Sequence, residues 1–282
     1  MAMDQGRRDP LPLRVIAVAS GKGGVGKTSV TANVAVALAG RGLRTCVLDA
    51  DLGLANLDVL LGLTPRRSLL HVLRGEARLP EVLVRGPGGI LVAPAASGFA
   101  ELTALTPEQR LALVGEVDGL DGQLDVLLID VGAGVSETVL WFTAAAAETL
   151  VVLTPEPTSL TDAYALVKLL ARRHGRQDFL VLVNMAATAR EAQRTFRALA
   201  GVTERFLQVR LDYQGFVPWD DAMVRAVRLQ QPVVLSAPGA PASQAFERLA
   251  DTLVARPASL PSGGMQFFFQ RLLDDAQAVG RV

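Results

Sequence analysis

The ten residues SGKGGVGKTS at 20–29 restrict the fold more than any other stretch of the chain. They fit G-x-x-x-x-G-K-[ST], with Gly21 and Gly26 as the glycines, Lys27 as the lysine and Thr28 as the hydroxyl. Glycines let backbone N–H groups curl around a phosphate, the lysine neutralises terminal phosphates, and the hydroxyl ligates Mg²⁺. The flanks suit that geometry. RVIAVAS (14–20) reads as a buried strand, and KTSVTANVAVALAG (27–40) as a helix whose positive end faces the same phosphates.

The same letters spell a rival, because Gly21, Gly23 and Gly26 form G-x-G-x-x-G and Asp49 lies at a dinucleotide-like distance, at the end of the second strand. Lys27-Thr28 has no job in a dinucleotide fold, and a second acidic strand follows, LDVLLID at 124–130. The phosphate-loop NTPase is therefore the reading adopted over both the dinucleotide fold and a mere glycine-rich turn. Residue usage sharpens it. Of 28 Lys plus Arg, lysine occurs only at 22, 27 and 168, so a chain that otherwise uses arginine places two lysines in this loop. A compact ammonium on a flexible stem differs from a planar fork, which implies that both positions require it. Lys168 reads as a solvated surface charge.

The chain's 282 residues suffice for one large α/β domain. A formal net charge of zero argues against nucleic acid as an obligatory partner through a global basic field. The single cysteine, Cys46, sits in the apolar run RTCVLD and reads as a core residue; no intrachain disulfide is possible. The N-terminus has no apolar core of signal-peptide length, and no run approaches the ~20 apolar residues that span a bilayer. These features predict a cytosolic protein.

Apolar runs at 14–19, 45–49, 90–93, 125–130, 150–153, 179–183 and about 206–210 read as strands. Their near-continuous Val, Leu and Ile content predicts a doubly wound, mostly parallel sheet with helices on both faces. The expected organisation is a flexible segment at 1–13, one phosphate-loop domain over 14–256, a linker at 257–264 and an amphipathic helix at 265–282. In that helix Phe268, Phe269, Leu272 and Leu273 repeat at helical spacing, and Phe267 widens the apolar face. It reads either as a terminal helix docked on the body or as one lying in a membrane interface. Two arginines cancel two aspartates there, so Phe burial would carry membrane binding, strengthened if a dimer presents two copies.

KGGVGKT resembles the deviant phosphate loop of the MinD/ParA ATPases, in which the early lysine, matched by Lys22, reaches across a nucleotide-sandwiched homodimer. VLDADLGLANLDVLLGL (47–63) is similar to the same family, and PEPTSLTDAYALVKLL (155–170), FVPWDDAMVRAVRLQQPVV (216–234) and PASQAFERLA (241–250) look like its flagellar-number branch, called FlhG or FleN. The resemblance implies ATP and Mg²⁺ as cofactors. It implies that the loop residues Gly21, Lys22, Gly23, Gly24, Val25, Gly26, Lys27, Thr28 and Ser29 bind nucleotide, that Thr28, Asp49 and Asp130 serve the metal, and that Asp51 orients water. Lys22, Lys27 and Asp51 would then be the catalytic set of a slow, dimerisation-dependent ATPase. Asn184 matches the position that reads the adenine edge, although a strand-end cap is its alternative, and Pro218 and Asp220 lie in the segment expected near the base.

The branch further implies a peripheral place on the inner face of the cell membrane. Implied partners are a signal-recognition-type flagellar GTPase (FlhF), a transcription regulator of the FleQ type, or switch-ring proteins. Two departures stand out. Val131 replaces the usual small hydroxyl after Asp130, and Gly6, Pro10 and Pro12 would break a helix begun at Asp4-Gln5, the start of the branch's GTPase-activating motif. A division-site ATPase of the MinD type would be expected to carry a more basic terminal helix, and a DNA-partition ATPase of the ParA type a basic surface. One cysteine per chain cannot supply a dimer-bridging Cys₄ cluster, and no lid or acceptor motif marks a metabolic kinase.

Overall fold

Val, Leu and Ile fill six short segments that pair into a parallel sheet, a half-polar seventh extends it at one edge, and a short antiparallel strand closes the other. The computed structural model describes residues 13–53, 56–95 and 105–257. The strands are β1 (Arg14–Ser20), β2 (Thr45–Ala50), β3 (Val84–Arg85), β4 (Leu91–Ala93), β5 (Val126–Ala133), β6 (Glu148–Leu153), β7 (Asp178–Ala186) and β8 (Arg210–Pro218). Their order is β3-β4-β2-β5-β1-β6-β7-β8, and among the described residues only β3 runs antiparallel to its neighbour. Helix α1 (Lys27–Ala39) follows β1; α2 (Leu57–Leu60), α3 (Leu69–Leu73) and α4 (Leu79–Val82) lie between β2 and β3; α5 (Pro107–Asp118) precedes β5. Then come α6 (Glu137–Ala145), α7 (Pro157–His174) and α8 (Ala189–Phe206), each ahead of the next strand, and α9 (Asp221–Arg228), α10 (Val233–Ser236) and α11 (Pro241–Ala255) after β8.

Alternation along each strand divides the core into two layers. Ala17 and Ala19 of β1, with Leu127, Ile129 and Val131 of β5, face a cluster that contains Leu140 of α6 and Leu166 of α7. Ile16, Val18, Val126 and Leu128 face the other, with Val30 and Leu38 of α1 and Phe246 of α11. Helix α1 is therefore covered on one side by the sheet and on the other by α11, which is why its sequence is apolar nearly all round. At the amino end of the sheet the Arg14 guanidinium forks onto Glu148 at 2.6 and 2.7 Å, tying β1 to β6. Cys46 is fully buried, and burial pushes its thiol up to about 12, so it serves as a core side chain.

Two departures from the sequence reading have local causes. The strand expected at about 206–210 is displaced. Helix α8 runs through Phe206, with Leu199 and Thr203 buried, and β8 starts only at Arg210. Its RLDYQGFVP is half-polar because it is an edge strand, and a bulge beside Gly215, at φ 98°, interrupts its register with β7. The two-residue β3 is too short to leave a periodic signal. The N-terminal segment at 1–12, the linker from 258 and the helix at 265–282, with Phe267, Phe268, Phe269, Leu272 and Leu273, lie outside the described residues.

Because β1 stands between β5 and β6, the chain leaves it toward one edge for β2 and later crosses toward the other for β6. The resulting crevice lies beyond the carboxyl ends of the central strands, where open α/β sheets form their sites.

Candidate functional site

The loop between β1 and α1 turns through Gly24 and Gly26, at φ 80° and 81°, a left-handed conformation that side chains resist. Gly26 begins α1 without a side-chain cap, so the first-turn amides at the helix's positive end keep their donors open. Gly21 has a different task. A Cβ there would overlap the Asp162 carbonyl and lie 2.8 Å from the Ala163 nitrogen, so the loop packs directly on the backbone of α7. Gly23 has neither a positive φ nor a neighbour within 4 Å of an added Cβ.

Parallel registry brings the acids together. Asp49 of β2 pairs with Asp130 of β5, so two carboxylates sit side by side at the strand ends, each 1% exposed. Lys27 Nζ donates to Asp130 Oδ1 at 2.7 Å, and the Thr31 hydroxyl donates to the same oxygen at 3.1 Å. Thr31 was not foreseen from sequence, though a hydroxyl four residues after Lys27 in an otherwise Val- and Ala-rich helix was its available signal. Burial, and then the neighbouring Asp130 charge, push Asp49 up to about 8, against the opposing amides of Asp51 and Leu57 and the Lys27 charge. The Asp51 carboxylate comes within 3.6 Å of a Cβ added at Gly132, placing it beside the last residues of β5. Thr28 and Ser29 are half-buried on the first turn of α1.

This set fits a hydrated Mg²⁺ that keeps phosphate ligands. One lysine faces two buried carboxylates, Thr28 adds a hydroxyl, and among the described residues no group of three or more His, Cys, Asp or Glu could cage a metal by itself. Val131 is fully buried in the apolar layer.

Beyond Gly26 and Ser29 opens a cavity of about 300 Å³, walled by Asn184, Pro218, Trp219, Asp220 and Val224. Asn184 does not end its strand as the sequence suggests, since β7 continues to Ala186, and its Nδ2 donates at 2.7 Å to the carbonyl of Val25 in the loop. Met185 beside it has φ 58°, the left-handed region that a non-glycine residue adopts at a cost. Both Asp220 oxygens are engaged, Oδ1 accepting from the Ala222 amide and Oδ2 from the Ala242 amide, so its carboxylate fastens α9 to α11 while the residue walls the cavity.

Lys22 is separate from this buried cluster. Its side chain is 34% exposed, and its Nζ donates to Glu156 Oε2 at 2.5 Å and to Thr158 Oγ1 at 2.9 Å at the start of α7. Lys168 is half-buried on α7. Among the described residues no helix is long and apolar enough to cross a membrane.

Residues 16–233 match the family model described as the CobQ/CobB/MinD/ParA nucleotide binding domain. The chain is 48% identical over 263 residues to antiactivator FleN of Pseudomonas aeruginosa, covering 93% of this chain and 94% of that protein. It is 33% identical over 265 residues to the flagellum site-determining protein YlxH of Helicobacter pylori, covering 92% and 90%. The septum site-determining protein MinD of Pyrococcus horikoshii, solved in complex with Mg-ADP, superposes with a TM-score of 0.72 at 25% identity, over 86% of this chain and 96% of that one.

Proposed function

The chain belongs to the CobQ/CobB/MinD/ParA nucleotide-binding family, in the branch of FleN and the flagellum site-determining YlxH, and on that premise we propose that it is an ATP-hydrolysing switch regulating flagellar number or placement. The observation that carries the switch is the contrast between the two lysines of one loop. Lys27 is buried against Asp130, as a cis phosphate ligand requires, whereas Lys22 is at the surface, where a residue serving a second copy must be.

In this reading Lys27 and the loop amides hold the terminal phosphates of ATP. Thr28 and Asp130 would hold Mg²⁺, with Asp49 supporting them. The metal supplies neutralisation of charge on the phosphates. Asp51 orients the attacking water, and Lys22 of each copy adds positive charge at the other's phosphates, so hydrolysis waits on homodimer formation. Asn184, Pro218 and Asp220 serve the base. The helix at 265–282 attaches the dimer to the inner face of the membrane, and a signal-recognition-type GTPase, a flagellar transcription regulator or switch-ring proteins receive the signal.

The test is Lys27→Ala in the chromosomal copy. The expected result is supernumerary or misplaced flagella with regular division. Normal flagella accompanied by minicells or DNA-less cells would transfer the protein to division-site or partition duty. ATP-dependent flotation with liposomes, lost when 265–282 is deleted, checks the membrane step; undiminished flotation would refute it.

A further inference from the structure

Helix α9 ends on a residue poorly suited to end it. The Gln230 amide donates to the Val227 carbonyl at 3.0 Å and the Gln231 amide to the Ala226 carbonyl at 3.1 Å, the paired bonds that close a helix when the residue after its C-cap turns left-handed. That residue is Gln230, at φ 54°. Glycine takes this conformation freely and a Cβ resists it, so a glutamine here calls for a task in its side chain. The side chain has one: its Nε2 donates at 2.7 Å to the Val59 carbonyl on α2, 171 residues earlier. The backbones are close as well, since a Cβ added at Gly62 would stand 3.5 Å from the Gln230 Cβ and 3.7 Å from the Gln230 carbonyl oxygen.

What α2 touches gives the contact its consequence. Asp49 ties α2 to Asp51: its Oδ2 accepts from the amide of Leu57, the first residue of α2, at 3.4 Å, and its Oδ1 accepts from the Asp51 amide at 3.1 Å. A helix of four residues has no stability of its own, so neighbours must hold α2 in place. Leu57 is buried, whereas Val59 is 58% exposed, and Gln230 grips this exposed side. Helix α9, which carries Gln230 at its end, walls the cavity beyond the phosphate loop with Val224 and Val227. Resting on the reading of Asp51 as the residue that orients the attacking water, we infer that Gln230 is a positioning residue for hydrolysis. It fixes α2 against α9, and α2 in turn steadies the Asp49 carboxylate whose other oxygen holds Asp51. Gln230 thus acts on the chemical step while standing apart from the phosphates.

The experiment measures kcat of the full chain at saturating Mg-ATP, at protein concentrations where the specific rate no longer rises. ATP Kd from calorimetry and the nucleotide-free Tm accompany it for wild type, Gln230→Gly, Gln230→Glu and Asp51→Asn. Gln230→Gly relieves the left-handed backbone and removes the donor, so its Tm should equal or exceed that of wild type while kcat falls. The fall expected from one hydrogen bond is roughly 2- to 12-fold, with ATP Kd unchanged. Gln230→Glu keeps the length and loses the donor, and its kcat should fall alike. A Gln230→Gly kcat equal to wild type, or one that falls only together with Tm or with ATP affinity, would overturn the positioning role. An Asp51→Asn chain that hydrolyses ATP like wild type would instead overturn the underlying reading of Asp51.

Discussion

Three glycines in one loop should respond to the same Gly→Ala change in three different ways. At Gly21 the new methyl overlaps the Asp162 backbone, which belongs to a helix whose Leu166, Val167 and Leu170 are fully buried, so neither partner can yield cheaply. Overpacking of this kind costs about 1–3 kcal/mol, and an obstacle made of backbone puts this site at the upper end. At Gly24 nothing obstructs the methyl, but φ is 80°, and the left-handed penalty is about 1–2 kcal/mol. At Gly23 neither applies, and the change should stay within about 0.5 kcal/mol. At about 2–4 °C per kcal/mol for a domain of this size, the nucleotide-free Tm should fall by roughly 6–12 °C, 2–8 °C and 0–2 °C respectively. Circular dichroism melts of the three variants, checked by urea unfolding, would measure this. A Gly21→Ala protein as stable as Gly23→Ala would show that the loop is not seated on α7 as described. ATP titration of Gly23→Ala then isolates the ligand's demand on that glycine, since its folded state is expected to be intact.

Asn184→Ala leaves the buried Val25 carbonyl without its donor, so the nucleotide-free protein should lose about 1–3 kcal/mol in urea unfolding as well as ATP affinity in calorimetry; unchanged stability would return Asn184 to a purely ligand-facing role. For Asp49, a folded-state value raised to about 8 from an ordinary value of about 4 means that the native chain binds this proton more tightly than the unfolded chain does. Its contribution therefore turns unfavourable as pH rises from about 4 to about 8. Without Mg²⁺ and nucleotide, wild type should lose more stability than Asp49→Asn between pH 5 and pH 8, and parallel profiles would refute the environment assigned to Asp49.

What the sequence made legible was local. The loop, its flanking strand and helix, and the acid-ended second and fifth strands all announce themselves within a few neighbouring residues, because glycine placement and runs of Val, Leu and Ile report backbone geometry directly. Registry between strands then does the rest: once β2 and β5 are neighbours, Asp49 and Asp130 must meet. The eighth strand lies later than expected for the opposite reason. An edge strand is covered unevenly, so RLDYQGFVP lacks the apolar continuity of the central strands, and the more apolar FLQV just before it attracted the assignment.

The loop also shows why a motif fixes residue types before it fixes their tasks. Gly21 and Gly26 look equivalent in the pattern, yet one is small because the backbone of a helix 141 residues later lies against it, and the other because the chain must turn left-handed there and the Asn184 side chain lies 2.5 Å from where a Cβ would stand. Asn184 reaches 159 residues back to the Val25 carbonyl, and Lys22 reaches 134 residues forward to Glu156. Such contacts have no period and no spacing, so they become visible only when the sheet order places β6 and β7 beside β1. The same topology separates the two lysines. Lys27 lies on α1, whose buried face turns its ammonium toward β5, while Lys22 precedes the helix on the side of α7 and is carried to the surface. Two identical ammonium groups five residues apart thus acquire different electrostatic surroundings, one compensated by a buried aspartate and the other by an exposed glutamate. Only the second can exchange its partner without leaving a buried carboxylate unpaired.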